Sequence, residues 1–144
     1  MSPDAATLST HRTIAATAEA IYGAFAAPDQ LATWWGPAGF TNTFHQFDFQ
    51  PGGRWVFDMH GPNGATYANE SVFKELVPGE RVVIEHVVAP WFELTVTLTA
   101  RGEQTDVAWE QRFESAAMAS RVQAIVGPAN EENLDRLTAL LGAG

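Results

Sequence analysis

AMASRVQAIVGPANEENLDRLTALL, Ala117 to Leu141, is the stretch on which the fold turns. Met118, Val122, Ile125, Val126, Leu134, Leu137 and Leu141 recur at helical spacing along one stripe, so the segment reads as a long amphipathic helix. A proline inside a helix removes a hydrogen bond, and Gly127-Pro128 is expected to break or kink this one near its middle. Asn130 and Asn133 fall on the same stripe, where a plain core helix carries Leu or Ala. The first half, Met118 to Val126, is expected to be plain core clamping a sheet. The second half is expected to bring two amides to the polar end of a cavity.

The remainder of the chain supplies that sheet. Phe92, Leu94, Val96 and Leu98 alternate with Glu93, Thr95, Thr97 and Thr99, a strand buried on one face only. The same alternation runs through Trp55, Phe57 and Met59, and through Val107, Trp109 and Phe113. Strands are predicted over Leu8–Ile14, Thr43–Phe49, Arg54–His60, Thr66–Leu76, Arg81–Val88, Phe92–Ala100 and Thr105–Phe113. From Thr43 onwards, turn residues such as Pro51-Gly52-Gly53, Gly61-Pro62-Asn63-Gly64 and Pro78-Gly79 separate them, as in an antiparallel meander. Between the first two strands lie two short helices. One is capped by Thr17, with Ile21, Ala24 and Phe25 as its stripe; the other starts at Pro28 and stops at Gly36-Pro37. A one-sided sheet needs a cover, and the C-terminal helix is the one long amphipathic element available. The predicted class is α+β: about seven antiparallel strands curled around a long C-terminal helix, in one domain over residues 1–144.

Composition narrows the function. A net charge of −9 with only eight Lys and Arg argues against nucleic acid, which needs clustered cations. Without cysteine there is no disulfide, thiolate metal site or Cys nucleophile, which fits a reducing compartment. No apolar run reaches the roughly 20 residues of a membrane span, and Met1–Thr10 has no signal-peptide pattern. A cytoplasmic protein is the expectation. His11, His45, His60 and His86 show no metal-ligand spacing, and no phosphate-loop or dinucleotide fingerprint is present, so neither metal nor cofactor is called for.

Polar residues on apolar faces are the informative exceptions. Strand parity groups Tyr67, Asn69, Ser71 and Phe73, then Val82, Ile84, His86 and Val88, then Val107, Trp109, Gln111 and Phe113. With these sides inward, Asn69, His86 and Gln111 join Asn130 and Asn133 inside an apolar shell; the opposite parity for Ala68, Glu70 and Val72 stays open. Each alone fits an ordinary core polar group paired locally. Together they have the composition of a small-molecule pocket. Trp34 and Trp35, about 100° apart on a helix, cannot both face the core, so one packs inward and the other sits at a rim. Glu131 and Glu132 read as a solvated face.

Five segments carry a resemblance: PDQLATWWGP (28–37), FDFQPGGRWVFDMHGPNG (47–64), Tyr67 with Asn69, FKELVPGERVVIEH (73–86) and PANEENLDRL (128–137). In these the chain resembles the SRPBCC superfamily (START-like, helix-grip domains), and within it the small bacterial homologues of the activator of a heat-shock chaperone ATPase, also labelled polyketide cyclase-like. The resemblance implies the helix-grip fold and a hydrophobic cavity under the C-terminal helix. Members bind lipids or hormones, cyclise polyketides or serve partners, so the fold alone does not choose an activity. They are often monomers or dimers, and the resemblance implies a monomer or homodimer here.

The leading expectation is a binding domain for a small, largely hydrophobic molecule. Trp34, Trp35, Phe57, Met59, Tyr67 and Trp109 would supply contact area, and Asn69, His86, Gln111, Asn130 and Asn133 would orient a carbonyl, hydroxyl or carboxylate. An aldol-cyclase or hydratase would use His86 as base and Tyr67, Asn69 or Gln111 as donors. A stress-related or chaperone-interacting domain would need an exposed apolar patch instead.

Overall fold

The computed structural model describes residues 3–142; the reading of Met1 and Ser2 lies outside them. After a 3-10 turn at Pro3–Ala6 come β1 (Thr7–Ile14), α1 (Ala18–Ala26) and α2 (Pro28–Trp34). Six strands follow, β2 (Thr41–Phe47), β3 (Arg54–His60), β4 (Thr66–Val77), β5 (Arg81–His86), β6 (Phe92–Arg101) and β7 (Gln104–Phe113), and then α3 (Ala116–Gly142). The sheet order is β1-β7-β6-β5-β4-β3-β2, antiparallel throughout. The meander from β2 to β7 places each strand beside the next, and β1 closes the edge left by β7. Register shifts at Phe44/Gln46 and Phe73/Glu75 bend the strands there, helping the sheet to curve around α3.

Local chemistry sets the helix ends. The Thr17 side chain accepts a hydrogen bond from Ala20 N at the start of α1, and Pro28 opens α2. Ser115 Oγ accepts from Met118 N at the start of α3. α3 is not broken at Gly127-Pro128: it runs unbroken from Ala116 to Gly142, with Pro128 inside it. The proline removes one helix hydrogen bond, and the neighbouring turns carry the helix through.

The core is aromatic and lies between the sheet, α1, α2 and the second half of α3. Trp34, Trp55, Phe73 and Trp109 are fully buried with Leu134 and Leu137. The first half of α3 is therefore not the plain core expected of it, whereas the second half clamps the core through Leu134 and Leu137 and also brings Asn130 and Asn133 to the cavity. In the first half Ala119 is buried, but Met118, Val122 and Val126 are half-buried and Ile125 is 75% exposed. Helical periodicity identifies the face that turns towards the sheet; it does not say how far away the sheet lies.

Two further expectations are corrected. α2 ends at Trp34, and Trp35 has extended dihedrals (φ −71°, ψ 133°), so the 100° rule does not apply and both indoles are buried, Trp34 at 0% and Trp35 at 8% exposure. β5 ends at His86, and Val88 is exposed rather than sharing the inner face with it. Parity in β4 is as preferred: Ser71 and Phe73 are buried, whereas Glu70 pairs with Arg54 on the outer face. Glu131 and Glu132 are not merely solvated, since Glu131 pairs with Arg12 at 2.9 Å and Glu132 accepts from Ala38 N at 3.0 Å.

Candidate functional site

A cavity of about 210 Å³ lies between the inner face of the sheet and the middle of α3. Its wall is mostly apolar, built by Phe57 and Met59 of β3, Phe92 and Leu94 of β6, Trp109 of β7 and Trp35 after α2. Ile125, Val126 and Ala129 of α3 complete it, and because Ile125 is largely exposed, the cavity opens beside this part of the helix. The aromatic side is tightly connected: Trp35 meets Trp55 edge-on at 5.1 Å and Trp109 at 6.1 Å between ring centroids. Such contacts hold the wall in shape.

Polar groups enter at separate points. His86 is buried, stacked on Phe92 at 4.6 Å with an 11° interplanar angle. Its Nδ1 lies 2.9 Å from the Pro90 carbonyl oxygen and its Nε2 2.8 Å from Asn69 Oδ1. Burial pushes the imidazole below its ordinary pKa, against the opposing pull of the Pro90 and Val88 carbonyls. Asn69 also donates from Nδ2 to Tyr67 O at 3.0 Å. Across the cavity Asn130 Nδ2 donates to Gln111 Oε1 at 3.0 Å, joining α3 to β7.

Asn133 lines the same space but is already engaged at both ends of its amide. It donates to Trp34 O at 2.8 Å and accepts from Gly36 N at 3.2 Å. Arg136, one turn further along, donates to five backbone carbonyls, that of Thr33 in the last turn of α2 and those of Trp35, Gly36, Pro37 and Phe40 in the α2–β2 connection. Asn133 and Arg136 fasten the loop that forms one edge of the cavity to the clamping half of the helix.

Of the sequence-derived candidates, Trp35, Phe57, Met59 and Trp109 line the cavity, as do Asn69, His86, Gln111, Asn130 and Asn133. Two do not. Trp34 packs behind the wall, donating from Nε1 to Ala24 O, because the inward side of α2 points at α1. Tyr67 is 49% exposed and lies against Phe40, since β4 extends beyond the core at that end. Sequence reading passed over Ser71, Phe92 and Leu94, although all three shared the inward parity; as small or apolar side chains they looked like ordinary core. Among the described residues, no three His, Asp or Glu side chains gather as a metal ion would require. No described helix is long and apolar enough to cross a membrane.

A curved antiparallel sheet gripping a long C-terminal helix over a mostly apolar cavity defines a helix-grip domain of the SRPBCC superfamily. Within it, the chain belongs to the family described as "Activator of Hsp90 ATPase homolog 1-like protein", whose profile matches residues 15–142. Among solved structures, a Chromobacterium violaceum protein is 27% identical with a TM-score of 0.84, covering 94% of this chain and 97% of that one. An Arthrobacter aurescens protein superposes with a TM-score of 0.89 at 20% identity, covering 100% and 90% of the two chains. The AHSA1-like protein of Aeromonas hydrophila gives 0.76 at 20%, covering 93% of each. At that identity the last two likenesses speak for the fold alone. No curated protein matches the chain.

Proposed function

We propose that this chain binds a small, largely hydrophobic molecule in the cavity between the sheet and α3. The observation that carries the reading is the cavity itself: apolar walls with a few convergent polar side chains, the usual composition of a small-molecule site. Trp35, Phe57, Met59 and Trp109 provide contact surface, and burial of apolar ligand area drives binding at roughly 25 cal/mol per Å² before ordering costs. Asn69, His86, Gln111 and Asn130 provide orientation. Asn133, occupied by the α2–β2 connection, holds the wall in place.

The geometry supports binding better than acid-base catalysis. A general base needs a lone pair directed at substrate, and both ring nitrogens of His86 already face acceptors. The family takes its description from a chaperone activator, but a cavity calls for a small molecule rather than a protein surface. A cytoplasmic setting, resting on the cysteine-free sequence, belongs to the same proposal, as does a monomeric or homodimeric state, which rests on the resemblance to the superfamily.

Native mass spectrometry of the purified protein, together with thermal shift against apolar probes, tests this reading. A bound apolar molecule or a raised melting temperature is expected, and Ser71→Phe, which fills the cavity, should abolish it while leaving the fold intact. Binding that survives Ser71→Phe in a folded protein would place the ligand elsewhere and defeat the proposal.

A further inference from the structure

The polar side chains of the cavity are all of one kind electrically. Among the described residues that line it there is no Lys, Arg, Asp or Glu. Among those described residues His86 is the one titratable side chain, and its two ring nitrogens face the Pro90 carbonyl and Asn69 Oδ1. Arg136 packs against the backbone of the Gly36-Pro37 edge, but both of its Nη groups are committed to loop carbonyls. An anion entering the cavity would have to detach that loop to recruit the guanidinium.

Neutral hydrogen-bonding capacity, by contrast, is available. Gln111 uses Oε1 on Asn130 Nδ2, which leaves Gln111 Nε2 to donate and Asn130 Oδ1 to accept at the same point of the wall. Ser71 adds a hydroxyl. A buried polar group is tolerated where it finds a hydrogen bond, whereas a buried charge needs a counter-charge as well. The chain's net charge of −9 adds long-range repulsion of anions. Size narrows the class further: an engineered cavity of about 150 Å³ takes benzene, so a cavity of about 210 Å³ suits a molecule of one or two rings.

Resting on the cavity reading above, we propose that the site selects uncharged one- or two-ring molecules carrying a neutral hydrogen-bonding group, a ketone, phenol or amide, and rejects the corresponding carboxylates. Gln111 Nε2 and Asn130 Oδ1 are the specificity-determining atoms: the first donates to a carbonyl, the second accepts from a hydroxyl or amide.

Isothermal titration with 2-naphthol and 2-naphthoate, which share a ring system, tests the selection at about pH 7, where the carboxyl probe is ionised and the phenol is not. The phenol should bind, and the carboxylate should bind at least about tenfold more weakly, because its charge is desolvated without a partner. Naphthoate binding as tight as naphthol binding would overturn the selection and leave the cavity reading standing. If neither probe binds, and neither displaces a co-purified molecule, the cavity reading fails and the selection falls with it.

Discussion

His86 Nε2 lies 2.8 Å from Asn69 Oδ1, while the other ring nitrogen lies 2.9 Å from the Pro90 carbonyl oxygen. A neutral imidazole donates from one nitrogen only, and a protonated one donates from both. With Nδ1–H on Pro90, a neutral ring offers Nε2 as an acceptor, so Asn69 must either oppose it or turn its amide away from Tyr67 O. The charge of His86 and the orientation of Asn69 are therefore linked, and burial decides in favour of the neutral ring.

Stability should fall with acid in a defined window. In the unfolded chain His86 titrates near the ordinary value of about 6.5, and in the folded chain it titrates lower. Above about 6.5 both states are neutral and the group contributes no pH dependence; as pH falls from there towards the folded value, the unfolded chain takes up the proton first and the fold loses stability. Thermal melts between about pH 7 and 5.5 should show the loss, and His86→Gln should flatten it. An equal slope in the variant would assign the dependence to other groups.

Asn69→Asp reverses the balance at the same ring. The carboxylate would stand within hydrogen-bond reach of Nε2, and an opposite charge at that distance raises a pKa by roughly one to three units. Titration of the imidazole by NMR should place the variant's His86 above that of the parent protein. A lower or unchanged value would mean that the two side chains do not meet as described.

Arg136 is not replaceable by lysine. Its planar guanidinium reaches five carbonyls spread from Thr33 to Phe40, whereas a compact ammonium satisfies fewer of them. Arg136→Lys is expected to cost about 2 kcal/mol, read as a melting temperature lower by roughly 4–8 °C. Because the same loop edges the cavity, ligand affinity should fall along with stability.

Two glycines separate space from conformation. A Cβ on Gly53 would stand 1.9 Å from the Asp48 backbone oxygen, so the β2–β3 connection must open to accept it. Gly23, inside α1, has nothing within 4 Å of the same position. Gly53→Ala should destabilise by about 2–3 kcal/mol through overpacking, and Gly23→Ala should stabilise by about 0.5–1 kcal/mol through helix propensity. Denaturant midpoints measure both, and opposite signs are the expectation.

The sheet was legible because its signals are local. Gly and Pro turns mark where strands stop, and period-two alternation marks which side is buried, so Asn69, His86 and Gln111 are assignable to one face from the sequence alone. Depth was not legible. Met118, Val122 and Ile125 carry the same spacing whether they press on a core or overhang a cavity, and the spacing contains no information about the gap. Trp35 illustrates a different limit: a helix ending one residue earlier converts a rim position into a buried one. The clasp made by Asn133 and Arg136 joins residues about a hundred positions apart, and no local pattern announces it.

The unequal halves of α3 predict unequal costs. Leu137 is fully buried in the clamping half, so Leu137→Ala removes transfer energy and leaves a void, costing about 2–5 kcal/mol. Ile125 sits on the same apolar stripe, yet it is mostly exposed at the cavity's open side, and Ile125→Ala should change stability by less than about 0.5 kcal/mol. Affinity should show the reverse ranking: with part of the wall beside the opening removed, the Ile125 variant should release a bound apolar probe faster than the parent protein. Chemical denaturation and stopped-flow dissociation measure the two quantities independently. A large stability loss at Ile125 would mean that the first half of the helix is packed down as core, and the cavity would then have no opening on that side.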